Sequence, residues 1–359
     1  MSKSSKIKVG ISIGDINGIG MEVIIKTFRD KRMQELCTPI VFGSSKVASF
    51  HRKALEIDDF SFNIIDSVEK INNKKANLIN CWKEEASIKL GENTEAGGKF
   101  AFQSLEAATT ALQKGEVDVL VTAPINKQNI QSADFQFPGH TEYLAQKGDG
   151  EALMLMLSES MRVGVVTGHI PLDKVADAIS QEKVLEKLRL FNQSLKQDFG
   201  IRKPKIAVLG LNPHAGDAGV LGKEEDNTIK PALVTAHEEG IITYGPYPAD
   251  SFFGSDKLTA FDGILAMYHD QGLIPFKTLA FGKGVNFTAG LSFVRTSPDH
   301  GTAFEIAGKN EANEQSFREA VFAACDIFKK RQEFTAINTN PLAVSERKVF
   351  KRSGRQRAE

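Results

Sequence analysis

The chain of 359 residues is longer than one hydrophobic core ordinarily fills, so two domains are expected. Its 45 basic and 45 acidic side chains cancel, and 41% hydrophobic with 25% charged residues is an ordinary globular balance, so no net field draws it to nucleic acid or to an anionic membrane. Cys37, Cys81 and Cys325 are odd in number and far apart, which fits neither a disulfide framework nor a CxxC metal knuckle. The short basic start, Met1 to Lys8, lacks a signal-type apolar region and no run of about eighteen apolar residues occurs, so a soluble cytoplasmic protein is expected.

In chain order, six short runs rich in Val, Ile and Leu read as strands: Lys8 to Ile13, Pro39 to Phe42, Val117 to Val121, Arg162 to Val166, Lys205 to Leu209 and Gly263 to Met267. Their apolarity is continuous rather than alternating, as in strands covered on both faces. Helical periodicity lies between them; in Phe100 to Leu112 the residues Phe100, Leu105, Ala108, Ala111 and Leu112 share one stripe, and Gly115 marks a stop. The expected class is therefore α/β, with two α/β/α domains and mainly parallel sheets. Ile64 to Glu95 reads as a variable excursion, and Ser345 to Glu359 as a solvated basic tail without a function.

In parallel sheets ligands bind beyond the carboxyl ends of strands, which directs attention to the residues after each run. Three of the seven histidines stand there: His169 in TGHIP, His214 in LNPHAG and His269 in YHDQG. Each alone also fits a strand-end imidazole bonded to a carbonyl. Together they offer a divalent cation three nitrogens, with positions open for substrate oxygens. Around PGHTE, a turn entering a helix with Thr141 as a cap predicts an anion pocket that includes His140. Lys277, Asn286 and Arg295 sit in a stretch otherwise short of charge and suit phosphate or carboxylate. The turn GDINGIGMEV lacks the GxGxxG spacing, so a Rossmann reading is rejected, and DHGTAFEIAG is a second glycine-bearing loop with a histidine, His300.

GDINGIGMEV, VTAPINK, FPGHTEYLA, GHIPL, LNPHAGDAG, YPADSFF, YHDQG and SPDHGTAFEIAG, in this order and over nearly the whole chain, resemble the 4-hydroxythreonine-4-phosphate dehydrogenase family. The first and last are also similar to the wider isocitrate and isopropylmalate dehydrogenase group, which binds nicotinamide cofactors without a Rossmann fingerprint. The resemblance implies an active site in an inter-domain cleft. One domain, on the cofactor side, would take 1–135 plus 270–340, and 136–269 would serve metal, substrate and dimerisation, leaving the tail at 341–359. It implies that His169, His214 and His269 bind a divalent metal (zinc, magnesium or cobalt) in a site shared across a homodimer. His140, Thr141, Lys277, Asn286 and Arg295 would contact substrate, and His300, Gly301 and Thr302 would lie near NAD or NADP. Ile16, Met21 and Asp217 depart from the family pattern at positions that touch no expected ligand.

The implied chemistry is oxidation of a metal-held hydroxyl by hydride transfer to NAD or NADP, giving a 3-keto acid that loses carbon dioxide to leave 3-amino-2-oxopropyl phosphate. Asp250 and Asp270 are the candidates for the proton acceptor, or else orient a histidine from behind. The alternatives are a sister dehydrogenase acting on threonate or erythronate 4-phosphate, an acyltransferase on a similar scaffold, and a non-catalytic metal or phosphate binder.

Overall fold

The computed structural model describes residues 6–132, 135–137, 139–148 and 151–340. The expected basic tail and Pro138 of the anion loop lie outside the described residues. The strands are β1 (Ile7–Ser12), β2 (Cys37–Gly43), β3 (Asn63–Ile65), β4 (Asn77–Asn80), β5 (Val119–Thr122), β6 (Leu153–Leu157), β7 (Arg162–Thr167), β8 (Lys205–Leu209), β9 (Ile242–Tyr247), β10 (Gly263–Tyr268), β11 (Val285–Ala289) and β12 (Arg295–Pro298). The α-helices are α1 (Gly20–Arg29), α2 (Met33–Leu36), α3 (Ser45–Ala54), α4 (Glu95–Gln113), α5 (His140–Lys147), α6 (Val175–Ala178), α7 (Gln181–Gln197), α8 (Lys230–Glu238), α9 (Ala249–Phe253), α10 (His269–Ala280) and α11 (Gln315–Asn338).

The α/β class and the mainly parallel order hold, and the strands of both halves join in one twelve-stranded sheet, ordered β3-β4-β2-β1-β5-β12-β11-β6-β7-β10-β8-β9. Each of the six expected strands is present within a residue or two, and β2 and β5 are buried throughout, as their unbroken apolarity requires. Three antiparallel pairings, β12 with β11, β11 with β6 and β6 with β7, reverse strand direction between the halves. Of the reversing strands β7 is among those expected and β6, β11 and β12 are not: β12, RTSP, has no apolar side chain beyond its proline, β11 is interrupted by Asn286, and β6, LMLML, is a short run without Val or Ile. The segment read as an excursion supplies β3 and β4, which extend the sheet to its edge, β4 pairing with β2 and β3 with β4.

Helix boundaries follow their caps. α4 begins earlier than its apolar stripe because the Thr94 hydroxyl accepts from Gly97 N, and beyond its end Gly115 takes a φ of +71° that suits a residue without Cβ. The Asp198 carboxylate, at the end of α7, receives Ser194 Oγ at 2.7 Å and Arg331 Nε at 2.6 Å, while Arg331 also donates to Leu291 O at 3.0 Å. α7, α11 and the turn after β11 are thereby tied in one polar knot. Among the described residues no helix is long and apolar enough to cross a membrane.

His51 on α3 is buried, and its Nε2–H donates to Ile16 O at 2.8 Å, fastening the glycine-rich turn after β1. Burial pushes this imidazole down from 6.5 to about 4. Between those values the unfolded chain binds the extra proton, so stability rises with pH; the contribution is complete above 6.5 and lost as pH falls to about 4. The expected loss is roughly 3 kcal/mol. Urea unfolding between pH 4.5 and 7.5 should show a steeper decline in the wild type than in His51→Gln, whose amide keeps a donor without the titration; equal slopes would refute this assignment.

Candidate active site

A cleft of about 280 Å³ opens where the strand direction reverses. Strand alternation builds its floor: Met154 and Met156 of β6, Asn286 of β11, and Arg295 and Ser297 of β12 all face it, each pair two residues apart on one face. The end of β5 adds Thr122, and the loop after it adds Lys127. The first turn of α5 brings His140, Thr141 and Glu142, and α10 brings His269 and Lys277. His300 and Gly301 close one side. α5 starts at His140 with Gly139 as its N-cap, so Thr141 lies inside the first turn and does not cap it.

Charge in the cleft is mainly positive. Arg295 is 2% exposed, and its guanidinium donates to Thr122 Oγ1 at 2.6 and 3.1 Å and to Thr288 Oγ1 at 3.4 Å. Among the described residues no carboxylate lies within 4 Å of it, although a buried cation is ordinarily paired. Burial lowers its pKa to about 9 against the opposing pull of Glu142, so it stays cationic at neutral pH. Lys277 Nζ donates to Asp299 O at 3.0 Å on the same wall. Burial first, then Arg295 and Lys127, hold His140 well below the usual imidazole range, so it is neutral at pH 7.

Among the described residues, four buried polar atoms in this cleft have no partner: His140 Nε2, Glu142 Oε2, Asn286 Oδ1 and His300 Nε2. Each such atom carries a desolvation penalty that a bound polar ligand would relieve. The set therefore fits a small molecule with anionic and hydroxyl or amine groups.

The strand-end histidines divide into two groups. His169 and His269 face each other with ring centroids 5.4 Å apart. Two imidazoles sharing one ion at a metal–nitrogen distance of about 2.1 Å and near-tetrahedral angles place their centroids roughly 5 Å apart, so the pair fits a divalent cation. His269 Nδ1–H donates to Asp270 Oδ1 at 2.7 Å, which leaves its Nε2 lone pair free. The Lys127 ammonium stands 3.5 Å from His169 Nε2, and Glu142 Oε1 is 3.6 Å from His169 Nδ1. His214 is exposed and does not line this cleft, nor does Asp250, on α9, which packs against the His214 turn. Among the described residues no three His, Cys, Asp or Glu side chains of one chain gather as a metal site.

Two side chains keep the three loops in register. Thr167 Oγ1 donates to Met267 O at 2.9 Å, joining the His169 and His269 turns. Gln271 accepts from Met267 N at 2.7 Å and donates to Gly210 O at 2.6 Å, joining the His269 turn to the strand end before His214. Thr302 does not line the cleft; its carbonyl accepts from Ile19 N at 3.0 Å, so the two glycine-bearing loops meet beside it. Sequence reasoning missed Thr122, Lys127, Glu142 and Gln271 as functional residues. All four stand inside the quoted motifs, Thr122 and Lys127 in VTAPINK, Glu142 in FPGHTEYLA and Gln271 in YHDQG, so the motifs were the signal that could have found them.

A cationic cleft set where strand direction reverses places the chain among α/β proteins that hold small anions. It belongs to the family described as "Pyridoxal phosphate biosynthetic protein PdxA", whose profile matches residues 35–324. The 4-hydroxythreonine-4-phosphate dehydrogenase of Bacteroides thetaiotaomicron is 52% identical over 342 residues, 95% of this chain and 94% of that protein. A protein of Oceanobacillus iheyensis, provisionally named a D-threonate 4-phosphate dehydrogenase, is 39% identical over 90% of this chain and 98% of its own length. Among solved structures, the 4-hydroxythreonine-4-phosphate dehydrogenase of Klebsiella pneumoniae superposes with a TM-score of 0.78 at 33% identity, covering 91% of this chain and 99% of that one.

Replacing Arg295 by Met removes both the anion's charge partner and a buried unpaired cation. Calorimetry with inorganic phosphate should show binding weakened about 30-fold, from roughly 2 kcal/mol of charge-assisted bonding. The ligand-free variant should be no less stable than the wild type. Unchanged phosphate affinity would remove Arg295 from the anion site.

Proposed function

We propose that the protein is the metal-dependent, NAD(P)-linked dehydrogenase that oxidises 4-hydroxythreonine 4-phosphate to a 3-keto acid, with decarboxylation to 3-amino-2-oxopropyl phosphate, in pyridoxal 5'-phosphate biosynthesis. The observation that carries this reading is Arg295: a guanidinium buried without a carboxylate partner, in a cleft shared with Lys277 and a pair of imidazoles, asks for an anionic ligand. The family and the 52% identical relative supply the reaction.

In this reading Arg295, Lys277 and Asn286 hold the substrate's phosphate and carboxylate by charge-assisted bonds, which fixes the molecule against the floor of the cleft. His140, kept neutral by its surroundings, offers Nε2 to a substrate hydroxyl or amine. Asp270 holds the tautomer of His269, which gives that carboxylate an orienting task, and Asp250 remains the candidate proton acceptor from the His214 side. His169 and His269, with His214 of a second copy, would hold a divalent ion, zinc, magnesium or cobalt, whose charge lowers the pKa of the substrate hydroxyl. His300, Gly301 and Thr302 serve the dinucleotide: His300 Nε2 is unpartnered, and a Cβ at Gly301 would meet nothing within 4 Å. The cofactor side is assigned to 1–135 plus 270–340 and the metal and dimer side to 136–269. Three unpaired thiols suit the cytoplasm.

A homodimer with shared sites accounts for the position of His214. The loops carrying the three histidines also carry exposed apolar side chains, Ile170 and Leu172 after His169, Val220 and Leu221 after His214, and Ile274 after His269.

NADH formation should appear with 4-hydroxythreonine 4-phosphate and disappear with chelator; turnover of threonate or erythronate 4-phosphate instead would move the protein to the sister activity favoured by the Oceanobacillus relative. His214→Ala should abolish turnover with an unchanged unfolding midpoint. Mixing two inactive variants, His214→Ala and His269→Ala, should restore roughly a quarter of wild-type activity, because half the dimers then contain one intact site. A mixture that stays inactive after subunit exchange would overturn the shared site.

A further inference from the structure

His214 stands on a backbone that an L-amino acid chain does not adopt unaided. Residues 214 to 218 all have positive φ: His214 at 52°, Ala215 at 51°, Gly216 at 82°, Asp217 at 42° and Ala218 at 53°. Four of these five are not glycine, so the turn is a short left-handed helix whose side chains crowd the following carbonyls. Such a conformation persists only where surrounding groups over-determine it.

Behind the start of the turn stands Glu225, 2% exposed, in the π-helical turn Glu225–Ile229 ahead of α8. Its Oε1 accepts from Leu211 N at 2.8 Å and from Asn212 N at 2.7 Å, and its Oε2 accepts from Asn212 Nδ2 at 3.0 Å. No cation pairs with it among the described residues; backbone and amide donors take that place. The glycines around it are spaced for the carboxylate. A Cβ on Gly216 would lie 2.6 Å from Glu225 Oε2, and one on Gly210 would lie 3.1 Å from Glu225 Oε1.

We infer that Glu225 is a positioning residue: by accepting both backbone N–H groups that precede the left-handed turn, it sets where His214 presents its imidazole. The inference rests on the proposed role of His214, and the exchange measurement below is independent of that role. Gln271 holds the other side of the same strand end through Gly210 O, so the turn is clamped between two elements while its tip stays exposed.

The test uses the full-length protein stripped of metal, with cobalt(II) as the probe, and hydrogen exchange of the peptide spanning 211–222. In Glu225→Ala, exchange in that peptide should accelerate more than about tenfold and cobalt affinity should fall about 10- to 100-fold, with exchange elsewhere unchanged. Glu225→Gln keeps an Oε1 acceptor for both backbone amides, giving up only the bond from Asn212 Nδ2, and should restore both to within about fivefold, whereas Glu225→Asp keeps the charge, withdraws it from the two amides and should resemble the alanine variant. The Asp and Gln pair decides the matter if the alanine variant does not fold. Normal exchange in Glu225→Asp, or equal damage in Glu225→Gln and Glu225→Asp, would overturn the inference. His214→Ala serves as the control: unchanged cobalt affinity there would sink the metal reading alone, leaving exchange to judge Glu225.

Discussion

A guanidinium sits at the seam of the sheet, where two threonine hydroxyls are its hydrogen-bond partners among the described residues. Arg295 opens β12, the strand that joins one half to the other, and reaches Thr122 on β5 and Thr288 on β11. Its charge survives burial because a guanidinium starts from so high a pKa that desolvation brings it down only to about 9, with Glu142 pulling the other way. That charge acts on its neighbours: added to burial, the larger cause, it helps hold His140 well below the usual imidazole range, while Glu142 favours the guanidinium's charged form.

The reversal of strand direction is what lets one sheet make such a site. A uniformly parallel sheet would send all its carboxyl ends to one edge, whereas the three antiparallel pairings bring ends from both halves toward a common face. The loop after β5, the first turn of α5 and the turns after β7 and β10 then approach each other over β6, β11 and β12. Short polar ties through Thr167 and Gln271 set the spacing of these turns, and the left-handed His214 turn is held out at the edge, where a second copy can meet it.

Much of this was legible in the chain. Fully buried strands announce themselves by continuous Val, Ile and Leu, and β1, β2, β5, β7, β8 and β10 were found that way. β11 and β12 escaped, because strands that line a cleft carry Asn, Thr, Arg and Ser on one face and so lose the apolar signature, whereas β6, LMLML, keeps it and was passed over because it is short and lacks Val and Ile. Edge strands β3 and β4 escaped for a related reason: three or four residues, half exposed, cannot be told from a loop. Thr141 was expected to cap a helix, yet φ and ψ, not composition, decide which residue is the cap, and Gly139 took that place.

The sequence by itself determined the α/β class, the family and a core of residues that line the cleft, His140, His169, His269, Lys277, Asn286 and Arg295 among them, because strand ends and glycine-bearing turns are local signals with local causes. Tertiary structure alone decided that His169 and His269 pair while His214 stays apart, that Arg295 is buried without a counter-charge, and that Gln271 and Glu225 brace the loops. Those facts depend on distances between segments far apart in the chain. Spacing along a sequence carries no information on such distances until the sheet order and the reversal of its strands are fixed.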